Sequence, residues 1–310
     1  MPQRDNPTPT AGPSPALLTA AIVVMVLIWG STWSVIRIGL EGLPPFGAVS
    51  LRFAIAGILL LLLARARAVR MAWTRGTVGL LVINALFTFT LAYGAVYVAE
   101  LWIPSGLAAL LFAVFPIIVA ILAHFLLDGE RLRPRSAVGV VLGFAGVAVI
   151  FSQDLDALTG ERGVLGGALV LLAAFSSATG EVTVKRWGGS IHPLLLTGLP
   201  MLLTAAITGV VSLLLERQAD WLWTVRTTSS LLYLAVAGSA VSFTLYFWAL
   251  KHVAASRLAL IAYAIPVVAV CIGVFGLDEP MTGPILVGGG LVAIGVALAT
   301  RSKAGDRGSP

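Results

Sequence analysis

Charge is scarce in this 310-residue chain. Asp, Glu, Lys and Arg make up 11% of it, where a soluble domain carries about a quarter. Hydrophobic residues fill 58%, and the mean hydropathy is +0.99. That balance excludes an ordinary soluble domain and points to an integral membrane protein. Cysteine is nearly absent: Cys271 stands alone inside an apolar run, so no internal disulfide forms and no spacing suggests a metal. No CxxC, HExxH, GxSxG or phosphate-binding glycine loop appears. Redox, hydrolase and nucleotide-hydrolysing chemistry therefore lack their residues, and the chain reads as a non-enzyme without cofactor or metal. A net charge of +6 invites nucleic acid, but the positive residues sit in short patches between apolar runs. That pattern is a topology signal and not a basic binding stripe.

What the chain has is apolar length. A bilayer core of about 30 Å needs roughly 20 apolar residues per helix. Ten such runs are expected, at about 17–37, 46–64, 76–97, 105–127, 136–151, 163–184, 194–215, 229–250, 256–277 and 283–300. Residues 1–16, rich in proline and polar groups, read as a disordered cytoplasmic tail, and 301–310 as a cytoplasmic tail. A cleaved signal peptide is the rival for the first run, which is too long and lacks a small-x-small site. The N-terminal tail, the loops near 65–75, 128–135, 185–193 and 251–257, and the C-terminal tail share fifteen Lys and Arg. The opposite side holds only Arg162, Arg217 and Arg226. The bias makes the first side cytoplasmic. Both termini then lie inside, which requires an even number of spans.

The second half repeats the first. Pro116, Glu130, Gly139 and Gly146 match Pro266, Glu279, Gly288 and Gly295 at offsets near 150, and "TFTL" at 88–91 matches "SFTL" at 242–245. Arg37 falls on Lys185 and Pro45 on Pro193. Ordered matches with slowly drifting offset mark an internal repeat, over 17–151 and 163–300. Five spans per half place the halves in opposite orientations. The expected fold is an all-α integral membrane protein of ten transmembrane helices in two inverted five-helix repeats, the construction of many secondary transporters.

These residues also carry a resemblance. "IWGSTW" in the first span, "IPSGLAALLFAVFP" leading into the fourth, and "LLDGERL" and "GLDEP" after the fourth and ninth resemble an EamA-type member of the drug/metabolite transporter superfamily, over about residues 17–300. The resemblance implies a carrier of small metabolites, often amino acids or related compounds and often exported. It also implies a central cavity lined mainly by spans 1, 3, 4, 6, 8 and 9.

Polar residues inside the spans point the same way. From Ala137 to Phe151 span 5, and from Pro284 to Leu298 span 10, carry glycines but no charged or hydroxyl side chain, and read as packing helices. Span 3 carries Asn84, Thr88, Thr90, Tyr93 and Tyr97; span 6 carries Ser176, Ser177, Thr179, Glu181 and Thr183; span 8 carries Ser239, Ser242, Thr244 and Tyr246. Polar groups in hydrocarbon need partners or water, so these spans read as a lining, although any single hydroxyl also fits a helix-to-helix bond. On span 1, Gly30, Trp33, Ser34 and Arg37 share an arc of about 100°, away from Ser31 and Thr32. Tyr93, Tyr246 and Tyr263 are deep aromatics that suit either a cavity wall or packing. Pro116 and Pro266 free the carbonyls of Phe112 and Ala262 from their helical donors, for a cavity or for a packed kink. Glu130 and Glu279 read as caps of helix starts.

Glu181 is the acid clearly within a span. It reads as a group that binds a coupling proton or a substrate amine, or as a partner that snorkels with Lys185. Arg37 and Arg52 read as partners of a substrate carboxylate; Arg52 also fits a side chain that snorkels outward, and its resemblance to the family's pattern implies a structural or gating role. The expected function is a secondary transporter moving a small amphipathic metabolite across the cytoplasmic membrane by alternating access, with the bilayer and that metabolite as partners. The alternative is a membrane sensor or scaffold without transport. Phosphate-bearing substrates fit less well, because spans 8 to 10 offer no interior Lys or Arg.

Overall fold

The computed structural model describes residues 13–150, 152–276 and 283–300. Glu279 and the tail residues 1–12 and 301–310 lie outside the described residues. Every regular element among the described residues is helical. In chain order they are α1 (Pro15–Gly39), α2 (Pro45–Ala66), α3 (Arg75–Ala99), α4 (Ser105–Leu126), α5 (Pro134–Ile150), a short 3-10 helix (Ser152–Leu158), α6 (Gly160–Trp187), α7 (Pro193–Leu215), α8 (Val225–Leu250), α9 (Ala255–Leu258 and Ile261–Gly276) and α10 (Gly283–Thr300). Seven of them, α1 to α4 and α6 to α8, are long and apolar enough to cross a bilayer; α5, α9 and α10 contribute shorter apolar stretches.

The helix starts follow capping chemistry. Ser14 accepts from Leu17 N–H, with Pro15 preset for the first turn; Thr74 caps α3 and a Thr224–Thr227 box caps α8. Each satisfies a donor that a helix start leaves open. The starts of α2 and α9 are capped across the repeat instead. Glu216, after α7, accepts from the N–H groups of Phe46 and Gly47 at 2.9 Å each. Glu130, after α4, accepts from Ala255 N–H at 2.9 Å and from the N–H and hydroxyl of Ser256 at 3.1 and 3.0 Å. Glu130 is therefore a cap, but of α9 in the other half and not of the helix that follows it.

Helices in equivalent places of the two repeats pack antiparallel on each other, α2 along α7 and α5 along α10. Glycine sets the second pair. A Cβ on Gly146 would fall 2.6 Å from the Gly288 carbonyl, and one on Gly139 would fall 2.6 Å from the Gly295 carbonyl. Backbones this close give van der Waals contact where no hydrophobic drive exists between helices. Gly146→Val should therefore lower the melting temperature in detergent by several degrees. Gly289→Ala, in open space, should leave it unchanged.

Two irregularities recur at matching places. The π-helical turns Ala85–Leu91 in α3 and Val236–Val241 in α8 stand at the same point of each half, and such turns often mark functional sites. α4 is interrupted at 113–114, with Pro116 opening its second segment. α9 is interrupted at 259–260, upstream of Pro266, which lies inside the second segment. The break and the proline coincide in the first half and separate in the second.

Candidate functional site

A cavity of about 130 Å3 lies between the two halves. Among the described residues its walls come from α1, α3, α4, α6, α8 and α9, with Arg52 as the single contribution of α2 and none from α5, α7 and α10. Most of the surface is aromatic or aliphatic. Trp29 stands 5.3 Å, ring to ring, from both Phe243 and Tyr246. Phe243 meets Phe89 at 4.9 Å and Tyr93 at 6.0 Å, and Trp33 meets Phe112 edge-on at 5.6 Å. Few polar groups break this surface, the usual make-up of a small-molecule site.

Arg52 is only 1% exposed. Its Nε–H donates to Ser239 Oγ at 2.7 Å, Nη1 to the Tyr97 hydroxyl at 3.1 Å and Nη2 to the Gly238 carbonyl at 3.3 Å. Its guanidinium lies over the rings of Tyr93 at 4.7 Å and Phe53 at 5.5 Å. The π turn in α8 presents the Gly238 carbonyl and Ser239 to it, and the rings provide cation–π attraction. No carboxylate pairs with Arg52 among the described ion pairs. The arrangement holds a positive charge in the interior, and the Tyr93 side chain faces the same guanidinium.

Glu181, on α6, is 2% exposed. It faces the Tyr246 hydroxyl without the geometry of a hydrogen bond, and both carboxylate oxygens lack a partner. The hydroxyls of Tyr246 and Thr88 are equally unpartnered, and both line the cavity. Gly180 brings α6 so close to α3 that a Cβ there would strike Thr88 Oγ1. One wall therefore carries a carboxylate and two hydroxyls with unspent hydrogen-bonding capacity, against the usual satisfaction of buried polar groups.

Of the residues singled out from the sequence, Trp33, Arg52, Thr88, Tyr93, Ser177, Glu181 and Tyr246 line this cavity. The others lie elsewhere. Gly30 is packed against Val268, because the cavity-facing set of α1 is Trp29, Thr32, Trp33 and Ile36. Ser34 is exposed. Asn84 is buried and donates to the Leu196 carbonyl at 3.0 Å. Ser242 donates to the Ala237 carbonyl at 2.8 Å, back into the π turn. Tyr263 runs outward to α5, where its hydroxyl donates to the Val140 carbonyl at 2.8 Å. Pro116 and Pro266 are buried but do not line the cavity; Phe112, Phe115, Ala262 and Ile265 beside them do.

Arg37 and Lys185 stand at opposite ends of the bundle and have equivalent partners. Arg37 donates to the Glu100 main-chain carbonyl at the end of α3. Lys185 donates to the carbonyls of Leu250 and Val253 at 2.7 and 2.8 Å, at the end of α8. Each cation closes carbonyls that a helix end leaves open and complements its dipole. Lys185 is thereby engaged away from Glu181. Glu100, not singled out from the sequence, is fully buried in the turn between α3 and α4. Burial pushes its carboxyl up to about 8, against the Ser105 hydroxyl at 3.2 Å and the charge of Arg37. A second cavity, about 340 Å3, opens at the arginine-rich end beside Glu130, Arg131, Arg135 and Arg257.

The chain matches the EamA-like transporter family over residues 17–152 and again over 164–301. It is similar to the uncharacterized transporter YvbV of Bacillus subtilis (strain 168), 28% identical over 290 residues, covering 93% of this chain and 92% of that protein. The uncharacterized inner membrane transporter YedA of Escherichia coli (strain K12) is 30% identical over 294 residues, covering 92% and 91%. A probable amino-acid metabolite efflux pump of the same strain is 27% identical over 288 residues, covering 89% and 92%. A solved structure titled "Crystal structure of protein" superposes with a TM-score of 0.76 at 23% identity, covering 93% of this chain and 97% of that one, a likeness of fold.

Proposed function

This chain belongs to the EamA-like transporter family, and on that premise we propose that it is a secondary transporter exporting a small amphipathic metabolite, an amino acid or a related compound. The observation that carries this is the cavity between the repeats, with an unneutralised Arg52 on one wall and an unpartnered Glu181 on the other. Buried charges are costly unless paired, and intramembrane ionisable groups mark substrate and proton paths. A substrate carboxylate meets Arg52, and a substrate amine or a coupling proton meets Glu181.

The ten helices act as ten spans in two inverted five-helix repeats, 17–151 and 163–300, with both termini cytoplasmic. The charge bias and the antiparallel packing of equivalent helices support this topology. Alternating access follows from rocking the repeats about the cavity, and the breaks in α4 and α9 offer places to bend. The relative described as a probable amino-acid metabolite efflux pump supports the substrate class and the direction. Comparing metabolites of medium and cells with and without overexpression, then measuring vesicle flux of any hit at two pH values, tests this. Accumulation of an amino-acid-like compound in the medium and saturable flux are expected. Ligand-dependent thermal stabilisation without flux would instead make the protein a sensor.

A further inference from the structure

We infer that the second cavity, at the arginine-rich end of the bundle, binds the phosphate of an anionic membrane lipid. Among the described residues it shares none with the central cavity, so its occupancy is independent of any cargo. At about 340 Å3 it is also the roomier of the two.

Four arginines line it. Arg131 and Arg133 come from the connection between α4 and α5, Arg135 from the first turn of α5, and Arg257 from the start of α9. Glu130 is the one carboxylate among the lining residues, and both of its oxygens accept from Ala255 and Ser256. That cap joins the α4–α5 connection to α9, which brings Arg257 of one repeat to the same cavity as Arg131 and Arg135 of the other. Among the described residues no acid pairs with Arg131, Arg135 or Arg257. The sequence has little acid to offer there. The tails and loops that share fifteen Lys and Arg contain only Asp5, Asp128, Glu130 and Asp306. Positive charges that converge on one cavity without a counter-charge attract an anion from outside. A topology signal needs only positive charge, and lysine serves it. All four cations here are arginines, whose planar fork bonds two phosphate oxygens at once.

The inner wall points to a lipid as the source of that phosphate. Ala120 of α4, Val140 of α5 and Ala299 of α10 line the cavity and are buried. Ala120 and Val140 stand more than a turn inside their helices, so the cavity runs from the charged helix ends toward the apolar body of the bundle. A lipid at a leaflet surface has the same order, with phosphate outermost and glycerol and acyl chains within. Basic pockets between helices at the cytoplasmic face suit such headgroups. Ser136 adds a hydroxyl to the lining. A soluble phosphate has no use for the apolar wall.

The test titrates phosphatidylglycerol, phosphatidylcholine with the same acyl chains, and inorganic phosphate into the full-length protein in a neutral detergent. Native mass spectrometry reads bound lipid and thermal unfolding reads stabilisation. Phosphatidylglycerol is expected to stay bound and to raise the melting temperature, whereas phosphatidylcholine and phosphate do neither. Arg131→Gln/Arg257→Gln should weaken phosphatidylglycerol binding at least about tenfold, since each arginine at a membrane surface is worth roughly fivefold in affinity. Arg70→Gln/Arg75→Gln removes two exposed arginines outside the cavity and should change it less than about twofold. Equal retention of the two lipids by the parent, or equal weakening in both variants, overturns the site. Stabilisation by inorganic phosphate as large as that by phosphatidylglycerol assigns the arginines to a soluble phosphate compound and overturns the lipid.

Discussion

Glu181→Gln is expected to cut substrate flux about 10- to 100-fold, the worth of a hydrogen bond to a charged group, while the protein inserts and folds as before. Both oxygens of the native carboxylate are buried and without a protein partner, and Lys185, four residues on, is bonded to the carbonyls of Leu250 and Val253 instead. The anion therefore relies on a cation from outside the protein, a substrate ammonium or a proton. Glutamine keeps the shape and one acceptor but offers no charge. Because it removes the cost of a buried ionisable group, the variant should unfold at the same temperature as the parent or higher. Whatever flux remains should be independent of pH. A structural role for Glu181 would give the reverse pattern, with lowered thermal stability and flux in proportion to folded protein.

The second large effect is at Arg52. Replacing it by alanine strands Ser239 Oγ, the Tyr97 hydroxyl and the Gly238 carbonyl and removes a cation from the Tyr93 ring. Each stranded buried group costs about 1 kcal/mol or more, so Arg52→Ala should lose roughly 3 kcal/mol of stability or fail to fold. Arg52→Lys separates structure from recognition. It retains the charge but has no planar fork to bond Ser239 and Tyr97 together and still face a carboxylate. Thermal unfolding should show Arg52→Lys folded in detergent, and flux assays should show at least about a tenfold loss, chiefly as a raised KM for a carboxylate-bearing substrate. Normal flux through Arg52→Lys would restrict the arginine to a structural role.

The helical class and the repeat were legible because each rests on a long-range pattern: apolar runs of bilayer length, and Pro, Gly and Glu recurring at offsets near 150. Glu181 and Arg52 stood out because ionisable groups within apolar runs are rare. Much of the local geometry was hidden. A helical wheel at 100° per residue assumes an unbroken helix, and α3 and α8 each contain a π turn that no Gly or Pro signature announces for Ala85–Leu91. On α1 the cavity side is Trp29, Thr32, Trp33 and Ile36, because bulky rings occupy the gap while Gly30 accepts the close approach of Val268. The caps supplied by Glu130 and Glu216 join segments more than a hundred residues apart. Glu100 is a single acid between apolar runs, and only its burial and its place beside Arg37 distinguish it.

Accessibility of the cavity from the two sides of the membrane tests alternating access most directly. Ser177 lines the cavity wall near Glu181, and Cys271 is the single native cysteine, so Ser177→Cys in a Cys271→Ser background places one reporter thiol there. A membrane-impermeant thiol reagent applied to oriented vesicles should modify it from either side, and a transported metabolite should slow both reactions. Modification from one side alone, unaffected by any metabolite that the protein carries, would contradict an alternating-access cavity.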